Sequence, residues 1–426
     1  SERLRTAPAP PHSCTPMPPK NIYPCFPPIT RGQPSVIKMD EKRKFLLYAL
    51  DRTVVIKNAT NPLEVQLYTG HQYPVTALAM SPSGCWMATG DSSGTVRIWA
   101  CDNPEQILKN EFAALGGAIR DISWNSDNNR VYIVGEGQPP AKVIMWDSGN
   151  TVGDLSGHVK KINSCTFKPT RPYRVVSGGD DGKINYYEGP PFKFKATSKT
   201  HDRFVWVVQY SPDGSQFFSA SADMRLSLYD GKEGTLSQEK KVHAGSIMAA
   251  CWSPDGTKIL TASADKSAKI IDAATLNDEV TFAFADKPTT LDQQLGCAWL
   301  ADTIVTYSLG GQMSFLDPAS ARPTSVEFGH CKVIQALCFT DGKLFTGSYE
   351  DADGTLKGTT RCWDLATGRA ANLGAPPAQP TPSLAPTPPS RCAHSGPSHD
   401  PRGPSHTRAR APIMSHRIPA PPPPPH

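Results

Sequence analysis

H-D-R-F-V-W-V-V-Q-Y-S-P-D-G-S-Q-F-F-S-A-S-A-D-M-R-L-S-L-Y-D, residues 201–230, reads as one structural unit, and the chain repeats it at once. The second copy starts at His243, carries S-P-D-G at 253–256 and A-S-A-D at 262–265, and ends at Ile271-Asp272. His201 to His243 is 42 residues, and so is Asp223 to Asp265. A fixed period of this length marks a repeat architecture. Within the unit, the run Val205, Val207 and Tyr210 suits a strand with one buried face. S-P-D-G then supplies turn chemistry: Pro presets φ, Asp bonds nearby backbone and Gly accepts positive φ. A second run from Phe217 to Ser221 meets a turn at Asp223, and a third from Leu226 to Tyr229 ends at Asp230. With one more strand in the connection, the unit is a four-stranded antiparallel sheet.

The register extends both ways. His158 lies 43 residues before His201, His71 lies 87 before His158, and His330 lies 87 after His243. The two skipped places fall near Gly117 and Gln293, each followed by a strand-like run (Ile119–Trp124 and Leu295–Trp299). Seven units result, their third strands ending at Trp99, Trp146, Tyr187, Tyr229, Ile271, Leu316 and Trp363. The period and the recurring His and Asp match the blades of WD-repeat proteins. The expected fold is all-β: a seven-bladed WD-repeat β-propeller over 70–372 with disordered Pro-rich ends. Closure of such a ring leaves few exposed sheet edges. Residues 35–69 read as extra N-terminal strands (Val36–Met39, Phe45–Tyr48, Val54–Ile56 and Leu63–Tyr68) that either close this ring or lack one to join. Residues 1–34 and 373–426 are low-complexity Pro-rich segments with too little apolar sequence for a core.

Composition narrows the function. The formal charge is +5, but the Pro-rich ends carry +3 and +4, leaving the body at −2. That is no footprint for nucleic acid, which needs a basic face. No apolar run reaches the ~18 residues of a membrane span, and no secretory h-region opens the chain. Eleven cysteines without a C-x-x-C pair read as reduced thiols of a cytoplasmic protein.

His201, Ser221 and Asp223 resemble a nucleophilic triad. The same His/Asp offset recurs as His158/Asp181 and His243/Asp265, and a catalytic triad has no reason to occur once per blade. The reading is structural: buried His and Asp pair to lock turns to strands. Asp351-Ala352-Asp353-Gly354 lacks the acids of a calcium loop at Tyr349 and Thr360. No phosphate loop, metal cluster or cofactor motif is found, and no enzyme is expected.

One segment exceeds the needs of the blade. Aligning the third unit on the fourth makes Asp181 the structural Asp and leaves Asp180 over. After Tyr187-Glu188 comes G-P-P-F-K-F-K at 189–195. Phe192 and Phe194 alternate with Lys193 and Lys195, and Phe204 follows His201. An exposed aromatic flanked by charge is an anchor pattern for a protein interface; the competing reading packs both phenyl rings between blades.

Here the chain resembles a particular family, actin-interacting protein 1, the WD-repeat cofactor of ADF/cofilin. The stretches that carry the likeness are R-G-Q-P-S-V-I-K (31–38), G-T-V-R-I-W (94–99), I-R-D-I-S-W (119–124), V-G-E-G (134–137), R-P-Y-R-V-V-S-G-G-D-D (171–181), E-G-P-P-F-K-F-K (188–195) and L-D-Q-Q-L-G-C-A-W (291–299). The resemblance implies a non-enzymatic, cytoplasmic regulator at the actin cytoskeleton. It would bind actin filaments and ADF/cofilin and promote severing. Its implied contact residues are Asp180, Lys193, Phe194 and Phe204. The family has two propellers, and only the first is matched. Where the family continues with charged residues after G-E-G, this chain has Gln138-Pro139-Pro140. A general WD-repeat scaffold for another complex is the alternative. The Pro-rich tail, with P-x-x-P at 377–380 and Pro421–Pro425, offers either a ligand for profilin or SH3-type modules or an unselected sequence.

Overall fold

A computed structural model describes residues 21–40, 44–350 and 357–373. The first twenty residues, the tail from 374 and the Asp351–Gly354 acids lie outside the described residues. Among the described residues, no helix is long and apolar enough to cross a membrane. The chain forms eight four-stranded antiparallel sheets, each a meander with its strands in chain order. They span 37–68, 75–113, 119–154, 162–198, 205–241, 247–283, 294–328 and 334–372, and are called sheets 1 to 8. Each of the seven repeat units makes one sheet, and the N-terminal strands make another of the same kind.

Seven of the eight surround an axis. The central cavity is lined by the first strands of sheets 1 to 7, from Ile37–Asp40 round to Gln294–Leu300. Sheet 1 fits between sheets 7 and 2 and is cored on both sides. Ile37 and Leu46 pack with Leu295, Val305, Tyr307 and Met313 of sheet 7. Leu47, Val54 and Ile56 pack with Leu78, Met87 and Trp99 of sheet 2. Leu46, Leu47 and Ile56 are fully buried, each contributing about 1.5–3 kcal/mol. The strands at 36–58 thus close the ring.

Sheet 8, the seventh repeat unit, stands beside the ring rather than within it. Its last strand, Arg369–Asn372, runs along Arg322–Phe328 of sheet 7, while its first strand does not line the axis. Val333, Leu337 and Phe339 at that first strand are 79, 66 and 62% exposed. This unit is irregular in its second turn but keeps His330 and the closing Trp363-Asp364, so the sequence places its sheet in the ring. The choice falls to long-range packing, which sheet 1 satisfies on two sides.

Sheet 1 differs from its neighbours in register. Sheets 2 to 8 all share a register shift near the start of the first strand, for example between Val205 and Val207. Sheet 1 pairs without one. Where sheets meet, small residues permit close approach. A Cβ on Gly90 would fall 2.7 Å from the Ile119 side chain, and one on Gly178 2.6 Å from Val205.

The Pro-rich N-terminal segment is packed earlier than composition suggests. Residues 21–34 form no strand, yet Phe26 and Ile29 are buried in the core shared by sheets 1 and 7. The Phe26 amide donates to the His330 carbonyl at 3.0 Å. Proline suits such an extended strap, because it needs no ladder partner.

An ion pair fastens the closure. Lys57 of sheet 1 and Glu327 of sheet 7 meet at 2.5 Å with both side chains 6% exposed. The Lys57 ammonium also lies 5.4 Å from the Phe26 ring centroid. Removing one partner of a buried pair strands the other charge, at about 3–5 kcal/mol. Lys57→Met is therefore expected to lower the urea unfolding midpoint markedly. Lys57→Met with Glu327→Leu is expected to recover most of that loss.

Candidate protein-interaction surface

The recurring His and Asp residues form buried polar sets within their sheets. The Nδ1 of His158 lies 3.0 Å from Asp181, that of His201 2.9 Å from Asp223, and that of His243 2.8 Å from Asp265. On the other side of each ring, Nε2 meets Ser177, Ser219 and Thr261 at 3.0, 2.7 and 2.8 Å. With Nδ1–H donating to the carboxylate, Nε2 accepts from the hydroxyl, so a neutral imidazole satisfies both partners. The hydroxyl bonded to His201 is that of Ser219, not Ser221. Ser221 instead accepts the Asp223 amide at 3.2 Å. Both serines sit on the same side of the pleat, and sequence periodicity does not separate them.

Sheets 2 and 8 extend the relay. Trp99 Nε1–H donates to Thr89, whose hydroxyl faces His71 Nε2 at 2.7 Å. Trp363 donates to Thr346 at 2.7 Å, and Thr346 faces His330 at 2.8 Å. In sheet 2 the carboxylate on His71 is Asp91, two residues after Thr89 rather than four.

These carboxylates titrate low. Burial alone would raise Asp181, Asp223 and Asp265, but bonds from the histidines and backbone amides outweigh it and hold all three below 3.8. His71 is held below 6.5, with burial the largest cause. A histidine whose folded pKa is lowered contributes stability above its unfolded pKa, lost as pH falls below it. Carboxylates with lowered folded pKa lose theirs as pH falls from the unfolded value through the folded one. Stability is thus expected to decline from about pH 6.5 and more steeply below about pH 4. Asp223→Ala deprives His201 and the amides of Asp202 and Arg225 of their acceptor. Its expected cost is about 2–3 kcal/mol by urea unfolding at neutral pH, with a weaker acid dependence than the parent.

The residues the sets do not use lie on sheets 4 and 5. The strand Lys193–Ser198 is the outer strand of sheet 4. Phe192, just before it, is buried edge-on to Phe167. Phe194 points outward, 51% exposed. The two alternating phenyl groups thus split, one into the core and one toward solvent. Phe194 rests edge-on to Tyr187 and beside Gly157, where a Cβ would stand 3.4 Å from its ring. Phe204, in the turn before Val205–Tyr210 of sheet 5, is 43% exposed and edge-on to Trp206.

Asp180 is not free of local duty. It accepts from Asn163 Nδ2 at 2.7 Å and pairs with Lys161 at 3.5 Å. Asn163 also donates to the Val205 carbonyl, which ties Asp180 to the turn that carries Phe204. The turn at 155–161 links this group to Phe194: Tyr187 donates to the Ser156 carbonyl, and the Val159 amide donates to Asp181. Asp180 is thus joined through Asn163 to the turn of Phe204, while Phe194 lies against Tyr187 and the Gly157 turn. Lys193 is exposed, and the pleat sends it to the opposite side from Phe194. Lys195 pairs with Glu188 and Glu233, fastening sheet 4 to the sheet 5 turn.

The sequence reading missed Val159, which is 78% exposed in the linking turn. The signal was present. Gln72, Asp202 and Ala244 occupy the equivalent place after the histidine in other units, and only here is it a large apolar side chain.

Comparison with known proteins agrees with this architecture. The family "WD domain, G-beta repeat" matches residues 63–100 and 234–272, and "Eukaryotic translation initiation factor eIF2A" matches 113–231. WD repeat-containing protein 1 of Xenopus tropicalis is 41% identical over 358 residues, 82% of this chain and 58% of that protein. Actin-interacting protein 1 of Drosophila melanogaster is 41% identical over 353 residues, 82% of this chain and 57% of that protein. Actin-interacting protein 1-2 of Arabidopsis thaliana is 42% identical over 346 residues, 77% of this chain and 56% of that protein. Repeated four-stranded sheets with buried His–hydroxyl–Asp sets define a WD-repeat propeller. Within that class the chain is similar, over most of its length, to proteins named actin-interacting protein 1 and WD repeat-containing protein 1. It spans little more than half the length of the relatives it matches.

Proposed function

We propose that this chain binds actin filaments decorated with ADF/cofilin and promotes their severing and disassembly, acting at the cytoskeleton by binding rather than by covalent chemistry. The observation that supports the reading most is the pair of half-exposed aromatics on neighbouring sheets, Phe194 and Phe204, the second joined through Asn163 to Asp180. The ring buries neighbouring aromatics such as Phe192, Phe217 and Phe218, so it has no need to leave these two outside. Aromatic anchors beside charge are the usual energetic centre of a protein interface. Two of the relatives are named for an interaction with actin.

The action follows from differential affinity. A surface that fits the cofilin-altered filament better than the plain one shifts the population toward the altered form, whose fragmentation follows. Phe194, Phe204 and Val159 supply apolar contact, while Asp180 and Lys161 supply a held charge pair at the rim.

Phe194→Ala and Phe204→Ala are each expected to cut cofilin-dependent filament disassembly at least about tenfold, in keeping with loss of an interface anchor. Filaments would remain in the pellet on sedimentation. Stability is expected to change by less than about 1 kcal/mol, as for other surface substitutions. Unchanged disassembly in both variants would reject the site. Asp180→Ala removes the acceptor of Asn163 and is the less clean test.

A further inference from the structure

Cys251 and Cys297 sit on the first strands of adjacent sheets, Ile247–Trp252 of sheet 6 and Gln294–Leu300 of sheet 7. Their sulfur atoms are 4.0 Å apart, and both residues line the central cavity of about 360 Å³. Cys251 is the more open of the two, being partly buried, whereas Cys297 is 6% exposed. The Cys297 thiol also faces the Leu260 carbonyl at 3.9 Å, from the second strand of sheet 6.

We propose that Cys251 and Cys297 are a peroxide-sensitive thiol pair that closes to a disulfide and staples sheet 6 to sheet 7 on the axis side of the ring. A disulfide needs the sulfurs about 2.05 Å apart, so roughly 2 Å must be closed by side-chain rotation and a small strand shift. The chemistry is a two-electron oxidation by hydrogen peroxide, small enough for the cavity. The Cys251 thiolate attacks one peroxide oxygen. An S–O bond forms, the O–O bond breaks, and hydroxide leaves and takes a proton to become water. The Cys297 thiolate then attacks the Cys251 sulfur, the S–S bond forms, and the S–O bond breaks with loss of a second water. Two thiols and one peroxide give one disulfide and two waters.

The neighbouring Cys251 thiol and burial hold the Cys297 thiol above its ordinary pKa. That assigns the first attack to Cys251 and the resolving step to Cys297. The bond would enclose a loop of 46 residues, a length at which cross-linking substantially narrows the unfolded ensemble. It would also join the first strands of two neighbouring sheets covalently.

The test uses the full chain. Purified protein is treated with hydrogen peroxide, its remaining thiols are alkylated under denaturing conditions, and the digest is read by mass spectrometry. The expected product is a peptide pair linked through Cys251 and Cys297, reversed by dithiothreitol. With it comes a rise in thermal midpoint of roughly 5 °C that reduction abolishes. Cys251→Ser and Cys297→Ser should each lose the linked pair and the rise, while their reduced melting curves stay close to that of the reduced parent. In Cys297→Ser, Cys251 should be recovered as the sulfinic acid. Both thiols recovered reduced, or Cys251 linked to a different cysteine, would overturn the proposal. Retention of the thermal rise in either serine variant would overturn it too.

Discussion

A propeller ring has to be filled. Each sheet buries its two faces against two neighbours, and a missing sheet leaves two apolar faces open at once. In this chain the seventh place is filled by the N-terminal sheet, which meets sheet 7 through Leu46, Leu295 and Tyr307 and sheet 2 through Leu47, Leu78 and Trp99. The Lys57–Glu327 pair and the strap bearing Phe26 and Ile29 reinforce one side of that joint. The remaining features rely on it, because the turns that carry Asp180 and Phe204 are only as fixed as the sheets beneath them.

The polar sets do a different job. They do not join sheets; they hold the turn before a first strand to the second strand of the same sheet. Each His ring meets a hydroxyl on one side and a carboxylate on the other, so the two groups are held at fixed spacing. This local fixation positions Phe204, whose carbonyl takes the Ala222 amide one residue before Asp223. The apparent triad and the aromatic surface are therefore linked: the first is the mount of the second.

Much of this was legible in the sequence, and the boundary of legibility is physical. Period, turn residues and the His/Asp offsets are local, so seven units and their sets could be read directly. The side to which Phe192 and Phe194 point was readable only as an alternation; which one enters the core depends on Phe167 in the same sheet and on the Gly153 and Gly157 backbone nearby. The choice of Ser219 over Ser221 turns on a single position of the pleat. The placement of sheets 1 and 8 was least legible, because it is settled by contacts between residues some 270 apart. Composition also misled at Phe26 and Ile29, two apolar residues in a proline-rich segment that looks unable to pack.

The way the ring closes has a temporal side. Of the seven sheets in the ring, sheet 1 leaves the ribosome before the others, and its second neighbour, sheet 7, is made after them all. Sheets 2 to 6 each dock on a partner just synthesised, at short sequence separation. Sheet 1 must keep one apolar face waiting until the strand ending at Phe328 has emerged. Contacts of such high sequence separation are slow to form, and nascent chains halted before that point would display an incomplete arc with an uncovered flank. The hazardous interval of biosynthesis is therefore long, and it ends only when sheet 7 reaches the waiting face of sheet 1.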